Sequence, residues 1–189
     1  MADGAVDGNR VRLKLAERDR EHVEKFRTFL KTTLPLRLTK PTPTRGQAGQ
    51  DQYGIEICSD RIAADLACFG VLPRKSFTAQ VVGLDSNCDF WRGMIDGDGC
   101  IVINRNDYPL IHLVGSRDSM VQFAAFVRSH APSWQGDLCK SGNIFRVTVS
   151  GRNAVIIMAL LYSDCAVALT RKHEKTHRII QSYHINNDR

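Results

Sequence analysis

Three kinds of segment are missing from this sequence of 189 residues. No apolar run reaches the roughly 18–20 residues that a membrane-spanning helix needs, and no signal peptide is visible at the start. An intracellular setting is therefore expected, in cytoplasm, nucleoid or an organelle rather than the secretory route, with no membrane partner. The cysteines Cys58, Cys68, Cys88, Cys100, Cys139 and Cys165 lack any paired C-x-x-C spacing. Most lie in apolar stretches, so reduced structural thiols are expected rather than disulfides or zinc ligands. A basic tail is also missing. Residues 1–85 hold 14 Lys/Arg against 11 Asp/Glu and residues 86–189 hold 12 against 9, so the formal charge of +6 is shared evenly. That balance fits a nucleic-acid partner touched by both halves, as well as many ordinary basic proteins.

What is present centres on Phe90-Trp91-Arg92-Gly93-Met94-Ile95-Asp96-Gly97-Asp98-Gly99-Cys100. A short apolar helix containing a glycine runs into two carboxylates spaced by glycines, and a strand-like Ile101-Val102-Ile103 follows. Gly93 would admit a second helix at close range, with Ile95 beside it in that interface. Gly97 and Gly99 free the backbone to turn and to approach a ligand. The helix end thus delivers Asp98 to a fixed point, where a carboxylate suits Mg²⁺. An Asp-Gly-Asp-Gly string is also a common solvated turn. It is not an EF-hand, because Cys100 and Ile101 stand where an oxygen ligand and then a glycine belong.

This block resembles the signature of the LAGLIDADG homing endonucleases. In that family two such helices pack side by side, and the penultimate acidic residue of each motif binds metal. Asp98 holds that position here, and Asp96 is left a structural role. Met1-Ala2-Asp3-Gly4 then reads as the tail of a second motif whose helix is missing, with Asp3 matching Asp98.

The remaining pattern supports two related halves. Arg10-Val11-Arg12-Leu13-Lys14-Leu15 alternates strictly, which predicts a half-buried strand with a cationic outer face. Asp19 can cap a helix to about Lys31. Leu34–Thr39 alternates again, with Pro35 marking a strand start or edge. A polar loop of residues 40–52, a strand Tyr53–Cys58, and a helix from Ser59 to Phe69 stopped by Gly70 complete the first half. The second half predicts strands at 100–104 and 108–115, a helix from Ser116 to Ser129, strands at 137–140 and 144–149, an all-apolar helix at 153–162, and a polar helical tail. Landmarks recur at a nearly fixed offset: 95 residues from Asp3 to Asp98, 99 from Arg18-Asp19 to Arg117-Asp118, 91 from Ser59 to Ser150, and 97 from Arg74-Lys75 to Arg171-Lys172. Such a period argues for internal duplication without any family knowledge. The repeats are expected at 1–79, lacking its leading helix, and 80–189, with the complete motif.

The resemblance implies an α+β fold of two pseudo-symmetric α-β-β-α-β-β-α repeats with saddle-shaped antiparallel sheets. It implies site-specific hydrolysis of phosphodiester bonds in a long double-stranded DNA target, with Mg²⁺ (or Mn²⁺) bound by Asp3 and Asp98 and by the carbonyls of Ala2 and Gly97. Lys75 and Lys172, in matched Arg-Lys pairs, fit the family's catalytic lysines. A sheet ribbon can enter the major groove. Candidate DNA contacts are Arg10, Arg12, Lys14, Arg37, Lys40, Arg45, Asn104, Arg105, His112, Lys140 and Arg146, set against an ordinary solvated surface. Three like charges on one strand face favour an anionic neighbour at Arg10, Arg12 and Lys14.

Two further readings stay open: a non-cleaving DNA-binding regulator, and an intron RNA-splicing maturase of the same fold. His173-Glu174-Lys175-Thr176-His177 also matches the H-E-x-x-H signature of zinc metallopeptidases. Only 12 residues follow it, however, and Ile180 and Tyr183 stand where the extended version needs glycine and histidine. An intein is disfavoured by the lack of a splicing cysteine. Without its leading helix, the chain is expected to leave the Gly93 face to an upstream segment or a second copy of itself.

Overall fold

The computed structural model describes residues 4–40, 50–71, 82–105 and 108–187. The chain forms two compact units, one within Asp3–Ala67 and one within Cys68–Arg189. The expected repeat boundary at residues 79 and 80 lies in 72–81, outside the described residues.

In the first unit the alternating segment forms β2 (Arg10–Ala16), with Arg10, Arg12 and Lys14 exposed and Val11 and Leu15 buried. Strand β1 (Gly4–Asp7), which no apolar alternation announced, pairs along one side of it. Strand β4 (Gln52–Cys58) pairs along the other side, and β3 (Arg37–Thr39) forms the far edge. The antiparallel order is β1-β2-β4-β3. The strand expected from Leu34 shortens to three residues, as a proline without an N–H allows. Gly54 is needed on β4 because a Cβ there would come within 2.7 Å of the Lys14 side chain and 3.0 Å of the Leu13 carbonyl.

Helix α1 (Arg20–Phe29) covers the inner face and contributes Val23 to a core with Val11, Leu15, Ile55 and Ile57. Asp19 stands at its N-cap but makes no side-chain cap bond, contrary to expectation. A 3₁₀ turn at Glu17–Asp19 precedes the helix, and the Arg20 N–H donates to the Glu17 carbonyl instead. Lys31 turns left-handed at φ 50°, which ends the helix short of it. Helix α2 (Asp60–Cys68) starts as expected, with the Ser59 hydroxyl accepting from the Ile62 N–H at 3.3 Å. None of its side chains is buried.

The second unit has a far larger core. Helix α3 (Cys88–Asp98) is capped by Asn87, whose Oδ1 accepts from the Phe90 N–H at 2.8 Å. It buries Trp91, Met94 and Ile95 at helical spacing. Strands β5 (Gly99–Ile103), β6 (Pro109–Gly115), β7 (Cys139–Ser141) and β8 (Ile144–Ser150) form an antiparallel sheet of order β5-β6-β8-β7, the same order as the first sheet. Helix α4 (Arg117–His130) is capped by Ser116 and packs Phe123 and Phe126 near Trp91, with ring centroids 5.1 and 5.9 Å away. Helix α5 (Gly151–Tyr162) is buried as its composition predicts, although Leu160 remains exposed. It starts two residues earlier than expected. The closing helix α6 (Thr170–Asn187) is polar and amphipathic. All six cysteines are free, and Cys58, Cys68, Cys100 and Cys139 are exposed, against the expectation of apolar surroundings. They occupy the outward positions of strands or the open face of α2. The architecture is therefore α+β, with two four-stranded antiparallel sheets and six α-helices among the described residues. No helix among them is long and apolar enough to cross a membrane.

Candidate functional site

Asp98 is the last residue of α3 and is exposed. The turn that carries it is fixed from below by residues of α5, α6 and the segment between them. Asp96 is buried, and both of its carboxylate oxygens are engaged. Oδ1 accepts from the Tyr162 hydroxyl at 2.8 Å and Oδ2 accepts from the Leu169 N–H at 2.9 Å. Asp96 thus has the structural role expected of it. Burial and the adjacent Asp96 carboxylate push the Tyr162 phenol far above its ordinary value, so it remains an O–H donor.

Lys172 lies only 5% exposed on α6. Its Nζ donates to the carbonyls of Ile95 at 2.5 Å, Asp96 at 2.6 Å and Gly99 at 2.8 Å. A lysine carries three N–H donors, and here all three meet backbone acceptors at a helix C-terminus, where the macrodipole also favours a cation. Lys172 thus braces the end of the helix that carries Asp98.

Gly99 completes the junction. A Cβ at this position would lie 2.6 Å from the Ile95 carbonyl oxygen and 2.7 Å from the Ile95 Cα. Only glycine lets β5 leave the helix end directly. Arg92 was not anticipated. It is buried one turn before Asp96, with Nε donating to the Val167 carbonyl at 2.8 Å, Nη1 to the Leu161 carbonyl at 3.1 Å, and Nη2 to Asp89. The signal for it was a lone arginine four residues before a buried aspartate, on the same helix face.

The Gly93 face is open: among the described residues nothing beyond its chain neighbours and its own helix backbone lies within 4 Å of a Cβ built on Gly93, which is exposed. Ile95 is fully buried in the second unit's own core. Helical periodicity sends positions 91, 94 and 95 to the sheet and leaves 93 on the opposite face.

The metal-binding reading requires oxygen donors, and Asp98 and the half-buried Gly97 supply a carboxylate and a carbonyl of the hard type that Mg²⁺ takes. Among the described residues no group of three or more His, Cys, Asp or Glu gathers to hold an ion. Mg²⁺ often takes one or two carboxylates and completes its shell with water and phosphate oxygens. Asp3, Ala2, Lys75 and Arg45 lie outside the described residues.

The candidate DNA contacts divide by position. Arg10, Arg12 and Lys14 form one exposed row on β2, and Arg37 on β3 lies opposite Gly54, which also faces Lys14. Lys40 is exposed just beyond β3, and Arg105 is exposed in the β5–β6 turn. Asn104 closes that turn: its Oδ1 accepts from the Tyr108 N–H at 3.0 Å, and its own N–H donates to the Tyr108 carbonyl. His112 and Arg146 lie on the outward face of the second sheet. The His112 Nδ1 is 2.9 Å from the Thr148 hydroxyl, and burial, then the Arg146 charge, lowers its pKa. Lys140 is a correction. Its register partner is Phe145, which packs on the core, so Lys140 sits on the helix side of an edge strand rather than with Arg146. Its neighbour Cys139 takes the outward position.

In the H-E-x-x-H segment, the His173 and His177 rings are 4.5 Å apart, while Glu174 is exposed and paired with Arg178 at 3.9 Å. Among the described residues no third ligand joins the two histidines.

No family model matches the sequence, and no curated protein is found similar to it. Solved structures are similar over nearly the whole chain. The LAGLIDADG meganuclease I-AabMI bound to uncleaved DNA matches 99% of this chain and 88% of its own, with a TM-score of 0.60 at 12% identity. Meganuclease I-SmaMI bound to uncleavable DNA matches 100% and 86%, with a TM-score of 0.63 at 8% identity. Full-length DUF199/WhiA from Thermatoga maritima matches 96% of this chain and 56% of its own, with a TM-score of 0.56 at 10% identity.

Proposed function

We propose, from the LAGLIDADG homing-endonuclease fold that this chain carries, that it is a site-specific DNA endonuclease acting on a long double-stranded target. The observation that carries this reading is the fixed helix end: Asp98 is exposed while Asp96, Tyr162, Lys172 and Gly99 hold the turn beneath it. A buried polar network costs free energy unless every member is satisfied, and here it places one acidic residue at a set position. In this reading Asp98 and the Gly97 carbonyl would hold Mg²⁺ or Mn²⁺, and Asp3, Ala2 and Lys75 are the corresponding candidates of the other repeat. The ion's contribution is to polarise the phosphate and lower the pKa of the attacking water. The protein's own contribution is orientation. Arg10, Arg12, Lys14, Arg37, Lys40, Arg45 and Arg105 supply cations for the phosphate backbone, and His112 and Arg146 reach base edges. Repeats of 1–79 and 80–189 are the corresponding division of the chain.

The commitment of Lys172 to backbone carbonyls favours one rival, a DNA-binding protein of the same fold that does not cut. Selection of cleaved and retained duplexes from a randomised library, with Mg²⁺ and then Ca²⁺, separates the two. Cleavage by the wild type and its loss in Asp98→Asn, with binding unchanged, is the expected outcome. Specific retention without cutting under both ions assigns the binding role, and preference for intron RNA over duplex assigns the maturase role.

A further inference from the structure

The two sheets share one strand order, so β2 and β6 hold the same place, each paired on both sides. Their outward rows are chemically unlike. On β2 the row is Arg10, Arg12 and Lys14, all exposed. On β6 it is Leu110, His112 and Val114, all half-buried. The register extends this second face, since Leu110 lies opposite Val102 on β5, and Val114 lies opposite the exposed Arg146 on β8. No carboxylate occupies an outward position on these strands. The buried apolar residues of β6, Ile111 and Leu113, point to the opposite face, so the outward Val102, Leu110 and Val114 are not part of the core.

We propose that the outward face of the second sheet reads thymine C5-methyl groups in the major groove through Val102, Leu110 and Val114, with Arg146 and His112 as the polar readers beside them. The first sheet holds its stretch of DNA mainly through charge. The proposal rests on the DNA-binding reading above and specifies it: the target is chemically unlike in its two halves, and the second sheet selects thymine positions. The major groove displays a methyl group only at thymine, and apolar side chains are the groups that read it. A protein partner fits this face poorly. Three half-exposed aliphatic side chains fall far short of the roughly 800 Å² per partner that a specific protein interface buries. A cation on a face whose strands carry no outward carboxylate fits an anionic partner instead.

The test uses the full chain and a duplex selected by it from a randomised library. Thymines are replaced singly by uracil, which removes the methyl and leaves base pairing intact. Binding is expected to weaken about fourfold for each methyl that was buried, at positions confined to one half of the duplex. In a Leu110→Ser/Val114→Ser variant, which removes the apolar contact groups, the uracil effect should shrink. In Arg12→Ala/Lys14→Ala it should persist while overall affinity falls. The single change Val102→Ser provides the same comparison if the double variant folds poorly. Uracil effects spread over both halves, or undiminished in both serine variants, would overturn the proposal while leaving DNA binding intact. Failure to retain any duplex would overturn it together with the reading on which it rests.

Discussion

His112 sits on an outward strand face, yet burial and the Arg146 charge make its protonated form unfavourable in the folded protein. An unfolded chain has neither constraint, and its histidine takes a proton near the ordinary value of 6.5. Below that value the unfolded state therefore binds more protons than the folded one, and stability falls as pH falls. The stabilisation is fully present above about pH 6.5 and is lost on acidification toward the lowered folded value. Thermal midpoints of the wild type and His112→Gln, followed from neutral pH down to ~5, should show a shallower decline in the variant. Parallel declines would mean that other groups carry the acid sensitivity. Bound DNA would oppose this effect, because the negative potential of the duplex favours the imidazolium. DNA should therefore stabilise the wild type most at the acidic end.

At the scale of elements, the decisive feature is how α3 ends. A helix normally leaves its last carbonyls to water or to a cap, but here a buried ammonium takes the carbonyls of Ile95 and Asp96, and the Gly99 carbonyl beyond them. Lys172→Met retains the stem's bulk and removes the donors. It should cost about 1.5–3 kcal/mol in urea denaturation, the range for hydrogen bonds to charged groups, and should reduce cleavage more than DNA binding, since Asp98 loses its support. Equal loss of both would indicate that Lys172 serves folding alone. The elements around this clamp were largely legible in the sequence. The strict alternation of Arg10 to Leu15 marks β2, and Ser59 and Ser116 mark helix starts because their hydroxyls have backbone N–H groups to satisfy. The helix end at Asp98 was legible from the apolar run that precedes it. The partners that fix it were not, because Tyr162, Leu169 and Lys172 lie 66 to 77 residues away from their bonding partners on α3. Lys140 was misplaced for a related reason: on a three-residue edge strand, a one-residue change of register swaps faces.

For the whole molecule, the question is how a formal charge of +6 is used. The overall charge is spread evenly along the sequence, but the structure concentrates exposed cations on particular surfaces, with Arg10, Arg12, Lys14 and Arg37 all on the outward face of the first sheet. Among the described residues none of these four is in an ion pair, although Asp7 and Glu56 lie opposite Arg10 and Arg12. Those two carboxylates offset part of the repulsion within the row, and polyanion binding would relieve the rest. Each cation placed on a phosphate releases condensed counterions and steepens the dependence of log K on log salt by about 0.9. Arg12→Ala/Lys14→Ala should therefore flatten that slope by about 2, whatever the sequence of the duplex, because phosphate contacts carry no base information. Titration of labelled duplex over a range of salt concentrations measures this directly. A variant that binds more weakly with its slope unchanged would place these side chains on base edges instead. Leu110→Ser/Val114→Ser provides the contrast: it removes no charge, so its slope should match that of the wild type even where its affinity for thymine-bearing sites has fallen.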